Sequence, residues 1–469
     1  MVNPCNRNTE NTRFPGRSAA WVAGVAALLL AVICGCAAPQ HACGHGCVSC
    51  KLEVRTGFAL GSPGAKEGPV LPNGASLDHK LVEDEVVLIA LWNNAAFQEL
   101  LTEVHIARGD LIQAGLLPNP EVGYFFEVPH KPFKYVLDMP LESLWLRPIR
   151  MAAAGRESAR ICHRLTQAGL DLIRDARQGY ADVLLAKGRL RVAEEAVKLH
   201  EQIADFADAR LKAGDISVHE AATVRIDALR ARQNATRAVY DVTLAEQRLR
   251  NLMGVGTGQR PLRLDETSPP LQADLDLPSL TAKAVATRPD ALAACQAAGA
   301  AAERLRLSKL SWVRFLGTLD ATSGRDKGHE FGPGFRVTLP IFNWNEGNVA
   351  RASAEYERAD RAQRTIHDQI VLDVQQAHVR YGQARAEIDV LQQQVEPQVE
   401  AAIRRAESAY REGGTLYVVV LETTRQLLDT HLRREQLKGD LRRAWADLER
   451  SVGCHLDGAP RASMEKSGA

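Results

Sequence analysis

Small and apolar residues recur every three or four positions along two stretches on either side of Gly214. The first stretch runs from Leu172 to Leu211, and the second runs from Ala221 to Leu252. This spacing averages about 3.5 residues, which keeps one face of a helix turned toward a partner helix. The pattern therefore predicts a long antiparallel helical hairpin that turns at Gly214. Taken alone, such a hairpin is also typical of a plain coiled-coil spacer.

Four shorter segments alternate apolar with polar or glycine residues, which is the period of a β-strand. They cover residues 122–128, 133–141, 315–322 and 335–342. A short proline-containing turn joins the first two, and a glycine- and charge-rich loop joins the last two, so we expect two β-hairpins. Each strand has one apolar face and one polar face, the pattern of a barrel with lipid outside and water inside.

The same order of elements occurs twice along the chain, once in each half. In the first half these are a helix at about 82–114, the first strand pair, and a long helix from near Arg147 to Gly214 with its return helix. In the second half they are a helix at about 280–310, the second strand pair, a long helix at about 347–410, a break at Gly413-Gly414 and a return helix that ends at Val452. The sequence therefore predicts a mainly helical protein with two long antiparallel helical hairpins and a small β part.

Matching positions in the two halves support an internal duplication. Gly214 and Gly413 both lie at the turn, and with the same shift Leu249 meets Leu448. Repetition on this scale is the first fact that a fold assignment must explain. We predict a signal peptide at 1–36, a tether at 37–80, a first repeat at 81–254, a linker at 255–278, a second repeat at 279–454 and a disordered tail at 455–469.

Four amphipathic strands are too few to cross a membrane alone. The smallest transmembrane barrels need about eight strands, and an open sheet in lipid leaves edge amides unpaired at several kcal/mol each. The chain must therefore associate with copies of itself to close the sheet. A soluble sheet covered by helices is the alternative, and the polar face of each strand disfavours it.

The N-terminus has the features of a secretory signal. Arginines at 7, 13 and 17 precede a short apolar run at 21–33, and small residues follow. Ile33-Cys34-Gly35-Cys36 resembles a bacterial lipoprotein signal, in which Cys36 becomes the lipidated first residue. The alternative is ordinary signal cleavage without a lipid. Both predict that the protein leaves the cytoplasm.

Histidines and cysteines are dense just after the signal. The candidate metal ligands are His41, Cys43, His45, Cys47 and Cys50. Thiolates and imidazoles can bind zinc or copper, but an exported chain can also oxidise its cysteines. Three further cysteines (Cys162, Cys295, Cys454) are isolated and form no motif. From Lys51 to about Asp78 we expect an extended tether.

The remaining composition points to no enzyme and no nucleic-acid binding. The chain has 58 Lys and Arg against 57 Asp and Glu, and these charges are interspersed along the predicted helices. We find no nucleophile–base pair and no glycine-rich phosphate loop, so we expect no catalytic residues and no cofactor. His200 and His219 are expected to be exposed helix residues and not ligands.

Several motifs resemble the TolC family of outer-membrane efflux channels, in its lipoprotein branch. They are Leu117-Pro-Asn-Pro-Glu121, Arg288-Pro-Asp-Ala-Leu292, Leu339-Pro-Ile-Phe-Asn-Trp-Asn-Glu-Gly347 and the two turns Arg210-Leu-Lys-Ala-Gly214 and Tyr410-Arg-Glu-Gly413. The resemblance covers about 81–453. It implies a homotrimer with a twelve-stranded β-barrel, held in outer-membrane lipid, with a helical tunnel in the periplasm.

The resemblance also implies a function and its partners. The chain would be the passive exit duct of a tripartite efflux system for small molecules or metal ions, open to a periplasmic adaptor and an inner-membrane pump. The alternative is a lipid-anchored periplasmic coiled-coil structural or adaptor protein without a pore. The duplicated strand pairs favour the channel.

In the family, the periplasmic mouth is narrowed near the two helical turns. Tyr410 matches a tyrosine that helps to hold the closed state, and Glu220 and Glu422 match acids that ring the lumen. With Gly214 and Gly413, these residues form the gate that the resemblance predicts. Three copies of each acid would make a negative constriction. The alternative is that both are solvated acids beside a turn.

Overall fold

The computed structural model describes residues 43–61, 69–72, 77, 79–126, 133–256, 261–266, 275–324, 328–412 and 414–456. The predicted signal peptide, the predicted lipid-attachment residue Cys36, His41 and Gly413 lie outside these ranges. The described chain is mainly helical and contains one four-stranded sheet. This confirms the predicted fold class, which is mainly α with a small β part.

Four short helices precede the sheet. They are α1 (His45–Thr56), α2 (Glu83–Asn93), α3 (Ala95–Leu101) and α4 (Glu103–Gly115). The single helix predicted at about 82–114 is therefore three helices. Asn94 separates the first two, and its side-chain oxygen accepts a hydrogen bond of 3.0 Å from the Phe97 N–H. A side chain that caps the next helix in this way favours a new helix start.

Helix α1 lies inside the predicted tether at 37–80. It includes residues from Lys51 onward that we expected to be extended. Val48 and Leu52 lie one turn apart and are fully buried in a core that includes Leu165. Burial of this apolar face stabilises the helix. The helix ends at Gly57, whose φ of 78° suits glycine. Helix α1 is thus packed against α5, and this part of the chain is not an extended tether.

The sheet is antiparallel and follows the order of the chain, β1-β2-β3-β4. Its strands are β1 (Glu121–Phe125), β2 (Phe133–Pro140), β3 (Phe315–Gly324) and β4 (Gly328–Val337). One row of directly opposed residues crosses all four strands at Tyr124, Tyr135, Ala321 and Phe331. Directly opposed residues share a face, so the two predicted hairpins lie side by side in one amphipathic sheet.

The fourth strand differs from its prediction at 335–342. It spans Gly328–Val337, so most of the expected glycine-rich loop is strand and Pro340 lies outside the sheet. Glycines at 328, 332 and 334 hide the alternation, because they carry no side chain to mark a face. Pro340 has no N–H to donate to a ladder, and β4 stops short of it.

The first long hairpin consists of α5 (Glu142–Ala213) and α6 (Val218–Met253). Helix α5 begins before the expected Arg147 and runs through Pro148. A proline is typical of the first helical position, but here the chain turns into the helix earlier, where the Leu141 N–H donates to the Phe315 carbonyl at 2.8 Å. The N-terminus of α5 is thereby fixed to β3.

The second half contains α7 (Leu277–Thr287), α8 (Pro289–Leu310), α9 (Glu346–Val390), a π-helical turn (Leu391–Val395), α10 (Glu396–Arg411) and α11 (Tyr417–Val452). The helix predicted at about 280–310 is broken at Arg288, the residue before Pro289. A residue before proline is displaced from the helical region, and Arg288 has a ψ of 135°. The predicted long helix at 347–410 is interrupted by the π-helical turn.

The two halves pack on each other along α5, which contacts α6, α8 and α11. In the predicted linker at 255–278, Leu264 forms an isolated bridge with Leu81, and Leu262 is buried. His455, the first residue of the predicted tail, donates its N–H to the Arg55 carbonyl at 2.8 Å. Among the described residues, no helix has both the length and the apolar composition that a membrane crossing requires.

Candidate functional site

One face of the sheet is apolar and open to the surroundings. Val122, Phe331 and Phe335 are each 72% exposed. Aromatic rings pack across this face, with ring centroids 4.9 Å apart for Tyr124 and Tyr135. An exposed patch of large apolar side chains marks a surface that is covered by lipid or by another protein.

The opposite face of the same sheet carries charges. The Lys134 Nζ lies 2.9 Å from the Asp320 Oδ2, and the Arg336 Nη1 lies 3.5 Å from the Asp138 Oδ2. Gly332 stands directly opposite Asp320. A Cβ at Gly332 would lie 2.7 Å from the Asp320 Oδ1. Any larger residue at this position would therefore collide with the carboxylate. The two faces therefore differ as the alternation predicts.

Both outer strands pair on one side only in the described sheet, since β1 and β4 stand at the two ends of the strand order. Each leaves a row of backbone N–H and C=O groups available for a further strand. In a hydrocarbon environment such groups need partners. The sheet of one chain is thus incomplete in lipid.

The turn between α5 and α6 has a well-defined geometry. Gly214 has a φ of 81°, which glycine adopts readily, and the Asp215 N–H donates to the Arg210 carbonyl at 2.9 Å. The Ser217 Oγ then accepts a hydrogen bond of 3.1 Å from the Glu220 N–H and caps α6. The structure thus places Glu220 in the first turn of α6, where an acid is stabilised by the helix dipole.

Tyr410 lies between the ends of four helices. It is 4% exposed and belongs to an apolar cluster contributed by α5, α6, α10 and α11. The centroid of its ring lies 5.3 Å from the ring of Phe206, and the Arg210 guanidinium carbon lies 5.1 Å from the same centroid. Tyr410 therefore connects the end of the first hairpin with the end of the second within one chain.

The structure brings Tyr410 to the first hairpin, and the two predicted acids lie on α6 and α11. Glu422 is exposed on α11, and its Oε1 accepts a hydrogen bond of 3.4 Å from Gln426 of the same helix. Glu220 is half-buried. In the part of the chain that the structure describes, neither acid forms an ion pair with a basic side chain, so each is available to another subunit or to a cation.

His200 differs from its expected exposure, whereas His219 is exposed as predicted. His200 is 8% exposed because it occupies one of the seam positions of α5. Burial lowers the pKa of His200; Asp227 opposes this shift and Arg425 adds to it. The residue is a neutral packing histidine at neutral pH.

The predicted metal ligands near the N-terminus are only partly brought together. Cys43 forms a disulfide with Cys162, and Cys47 lies beside them. Their three sulfur atoms lie within 4.8 Å of one another, in a group that does not include His45 or Cys50. We expected Cys162 to be an isolated cysteine, but it is bonded to Cys43. The two residues of the disulfide lie 119 positions apart, so no local spacing could have paired them.

An ion network between the two halves, centred on the buried Arg288, was also missed from the sequence. The Arg288 Nη1 lies 3.1 Å from the Asp373 Oδ2 and donates to the Ser451 carbonyl at 3.2 Å. The Arg450 Nη1 lies 3.2 Å from the same Asp373 oxygen, and the Arg450 Nε lies 2.7 Å from the Asp171 Oδ1. Arg288 was visible only as part of a motif, whereas the network fixes α5, α8, α9 and α11 together.

Known proteins have sequences similar to most of this chain. The sequence model of a family described as "Outer membrane efflux protein" matches residues 149–255 and 272–454. The cobalt-zinc-cadmium resistance protein CzcC of Cupriavidus metallidurans is 24% identical over 415 residues, which cover 86% of this chain and 96% of that protein.

Solved structures resemble the fold over most of its length. A crystal structure of CusC, solved to follow its folding and transmembrane channel formation, has a TM-score of 0.68 at 16% identity, and the match covers 84% of this chain and 99% of that chain. The outer membrane protein VceC of Vibrio cholerae has a TM-score of 0.67 at 16% identity, covering 79% of this chain and 96% of that chain.

Proposed function

The chain belongs to the outer membrane efflux protein family, and from this premise we propose that three copies of it build one duct through the outer membrane and into the periplasm. The chain is the outer-membrane channel of a tripartite efflux system. We further propose how this channel assembles, where its gate lies, where its lipid is attached and which cargo it carries. In this duct each of the two repeats, at 81–254 and 279–454, supplies one strand pair and one helical hairpin.

The sheet with two unpaired outer strands is the observation that supports the assembly. Three chains of four strands give twelve strands, and closure pairs β4 of one subunit with β1 of the next. The charged face then lines a water-filled lumen and the apolar face meets lipid. Helix α5 has 72 residues, which at 1.5 Å each span roughly 110 Å. Such helices extend well beyond a bilayer.

Chemical cross-linking across the strand edges tests this assembly. Val122→Cys on β1 and Phe335→Cys on β4 place one thiol on each outer strand, on the same face of the sheet. A bismaleimide should link chains into dimers and trimers on a denaturing gel. The control pair, Leu319→Cys with Phe335→Cys, lies on the neighbouring strands β3 and β4 of one chain and should give monomer with an internal link. A stable monomer that needs no detergent would refute the assembly.

We propose that the ends of the two hairpins form the gate. Tyr410 packs against Phe206 and Arg210 and thereby holds the second hairpin against the first. Glu220 and Glu422, without ion-pair partners in the described chain, would contribute three copies each to a negative ring. Such a ring attracts cations and keeps anions out. If both acids are only solvated, replacing them will leave ion selectivity unchanged.

Ion selectivity in a planar bilayer distinguishes these two roles. With unequal KCl on the two sides, the reversal potential reports the preference for cations. Glu220→Gln with Glu422→Gln should move that potential toward zero. Glu412→Gln, which removes an exposed acid at the same turn, is the control and should change it less. An unchanged reversal potential in the double variant would refute the ring.

We propose that divalent metal cations are the cargo, delivered by an adaptor and an inner-membrane pump. The similarity to CzcC, a cobalt-zinc-cadmium resistance protein, supports this choice, and a negative constriction suits a cation. A strain that lacks the gene should become sensitive to cobalt, zinc or cadmium and should be rescued by the intact gene. Rescue of drug sensitivity without any effect on metals would overturn the cargo while leaving the duct.

The lipid anchor is proposed at Cys36, and it rests on the sequence alone. Mass spectrometry of the mature N-terminus should find an acylated Cys36. A mature chain that begins at another residue would refute it.

A further inference from the structure

Three cysteine sulfurs meet where α1 packs on α5, and the channel function uses none of them. Cys43, just before α1, forms a disulfide with Cys162 of α5. The Cys47 Sγ, in the first turn of α1, lies 3.4 Å from the Cys162 Sγ. The bonded pair is buried, with Cys43 5% and Cys162 1% exposed, whereas Cys47 is an exposed residue with a free thiol.

We propose that these three residues form a thiol–disulfide exchange site, in which the link to Cys162 moves between Cys43 and Cys47. The Cys47 thiolate attacks the Cys162 Sγ. The Cys47–Cys162 bond forms while the Cys43–Cys162 bond breaks, and Cys43 leaves as a thiolate that takes up the proton released by Cys47. One disulfide is present before and after, so the step needs no oxidant or reductant.

The packing around the sulfurs permits this step. Cys47 is exposed, so its side chain is free to rotate until its sulfur lies in line with the bond that it attacks. Cys162 is buried in the core that holds α1 and is the fixed partner in both links. Because Val48 and Leu52 remain buried on the same face of α1, the helix stays docked during the exchange.

Chain entropy favours neither link. The present link closes a loop over 119 positions, and the alternative link, from 47 to 162, closes one over 162 − 47 = 115 positions. Loop-closure entropy depends on the logarithm of the length, so the two values are nearly equal. One free thiol is present in either state, first that of Cys47 and then that of Cys43.

Serine variants of the full-length protein test the exchange. In Cys43→Ser, Cys47 should form the link, so that Cys162 stays unreactive toward a maleimide after denaturation without reductant. Cys43→Ser with Cys50→Ser should behave in the same way, because Cys50 is on α1 but outside the sulfur group. Cys43→Ser with Cys47→Ser should leave Cys162 reactive. A reactive Cys162 in Cys43→Ser, or a bond from Cys162 to Cys50, would overturn the proposal.

The native chain provides a second test that needs no variant. The protein is held without reductant at pH 8 or at pH 5, then quenched with acid, unfolded in denaturant and labelled with N-ethylmaleimide. Fragmentation of the unreduced peptides shows which cysteine carries the label. Because the thiolate is the nucleophile, label on Cys43 should appear at pH 8 and remain low at pH 5. Label on Cys47 and never on Cys43 at pH 8 would refute the exchange.

Discussion

The contacts of Tyr410 allow a quantitative prediction for the closed channel. Phe206→Leu keeps an apolar side chain in the cluster but removes the ring that lies 5.3 Å from Tyr410. An aromatic pair contributes about 0.5–1.5 kcal/mol beyond its burial. Arg210→Met removes the cation above the same ring, which contributes about 0.5–1 kcal/mol. If these contacts exist only when the hairpin ends are together, both losses favour the open state.

The size of the effect follows from these energies. Since 1.4 kcal/mol corresponds to a factor of ten, Phe206→Leu should raise the ratio of open to closed channels about 2- to 12-fold. Arg210→Met should raise it about 2- to 5-fold. The measurement is the open probability of the purified channel in planar bilayers. Arg411→Met is the matched control, because Arg411 lies at the end of α10 and pairs with Glu407 at 3.8 Å.

A double-mutant cycle separates the contact from a general loosening of the turn. In a Tyr410→Leu background, Phe206→Leu should have little further effect, because its partner is already absent. The reasoning fails if Phe206→Leu and Arg210→Met behave like Arg411→Met. It also fails if the effects of Phe206→Leu and Tyr410→Leu simply add.

Three further predictions concern stability and selectivity. Arg288→Met should lower the free energy of unfolding by about 1–3 kcal/mol, because it removes a buried guanidinium that donates to the half-buried Asp373 and to the Ser451 carbonyl, whereas the exposed Arg351→Met should cost about 0–1 kcal/mol; equal losses in denaturant titrations would contradict the role of this network. Burial and the cations Lys51 and Arg55 lower the pKa of His163 to about 4, so the unfolded chain binds more protons between about pH 4 and 6.5. The native chain should therefore lose stability as the pH falls through this window, and His163→Gln should lose less; the same acid sensitivity in both would exclude this group. Glu422→Gln alone should shift the reversal potential in a KCl gradient by less than the double variant with Glu220→Gln does, and a full effect from either acid alone would mean that only one ring selects cations.

The sequence predicted those elements whose side chains mark a regular period. The first three strands lie close to their expected positions because Tyr124, Tyr135 and Leu319 show the alternation directly. Strand β4 was displaced because its glycines show no face. The seam residues of α5 predicted the hairpin, and the Gly214 turn followed from the need for a left-handed residue. Local pattern was sufficient wherever the determining interactions lie within one element.

Interactions between distant parts of the chain could not be predicted in this way. The bond from Cys43 to Cys162 and the bridging of Asp373 by Arg288 and Arg450 depend on how helices from different regions pack. Tyr410 was found through its motif, but its partner Phe206 lies far from it in sequence and carries no signal of its own. His200 lies in the apolar row of α5, yet its burial was not predicted, because a polar side chain is usually exposed on a helix.

The π-helical turn at Leu391–Val395 sets the rotational phase of everything that follows it. A π-bulge adds one residue to a helix, and one residue corresponds to about 100° of rotation in an α-helix. Pro397, which cannot donate a backbone hydrogen bond, lies just beyond the turn. Without the extra residue, α10 would be turned by about a quarter of a revolution, and Tyr410 would no longer lie on the face that packs against the first hairpin in this structure. The orientation of the periplasmic end is thus determined some 15 residues before the tyrosine that depends on it (410 − 395 = 15).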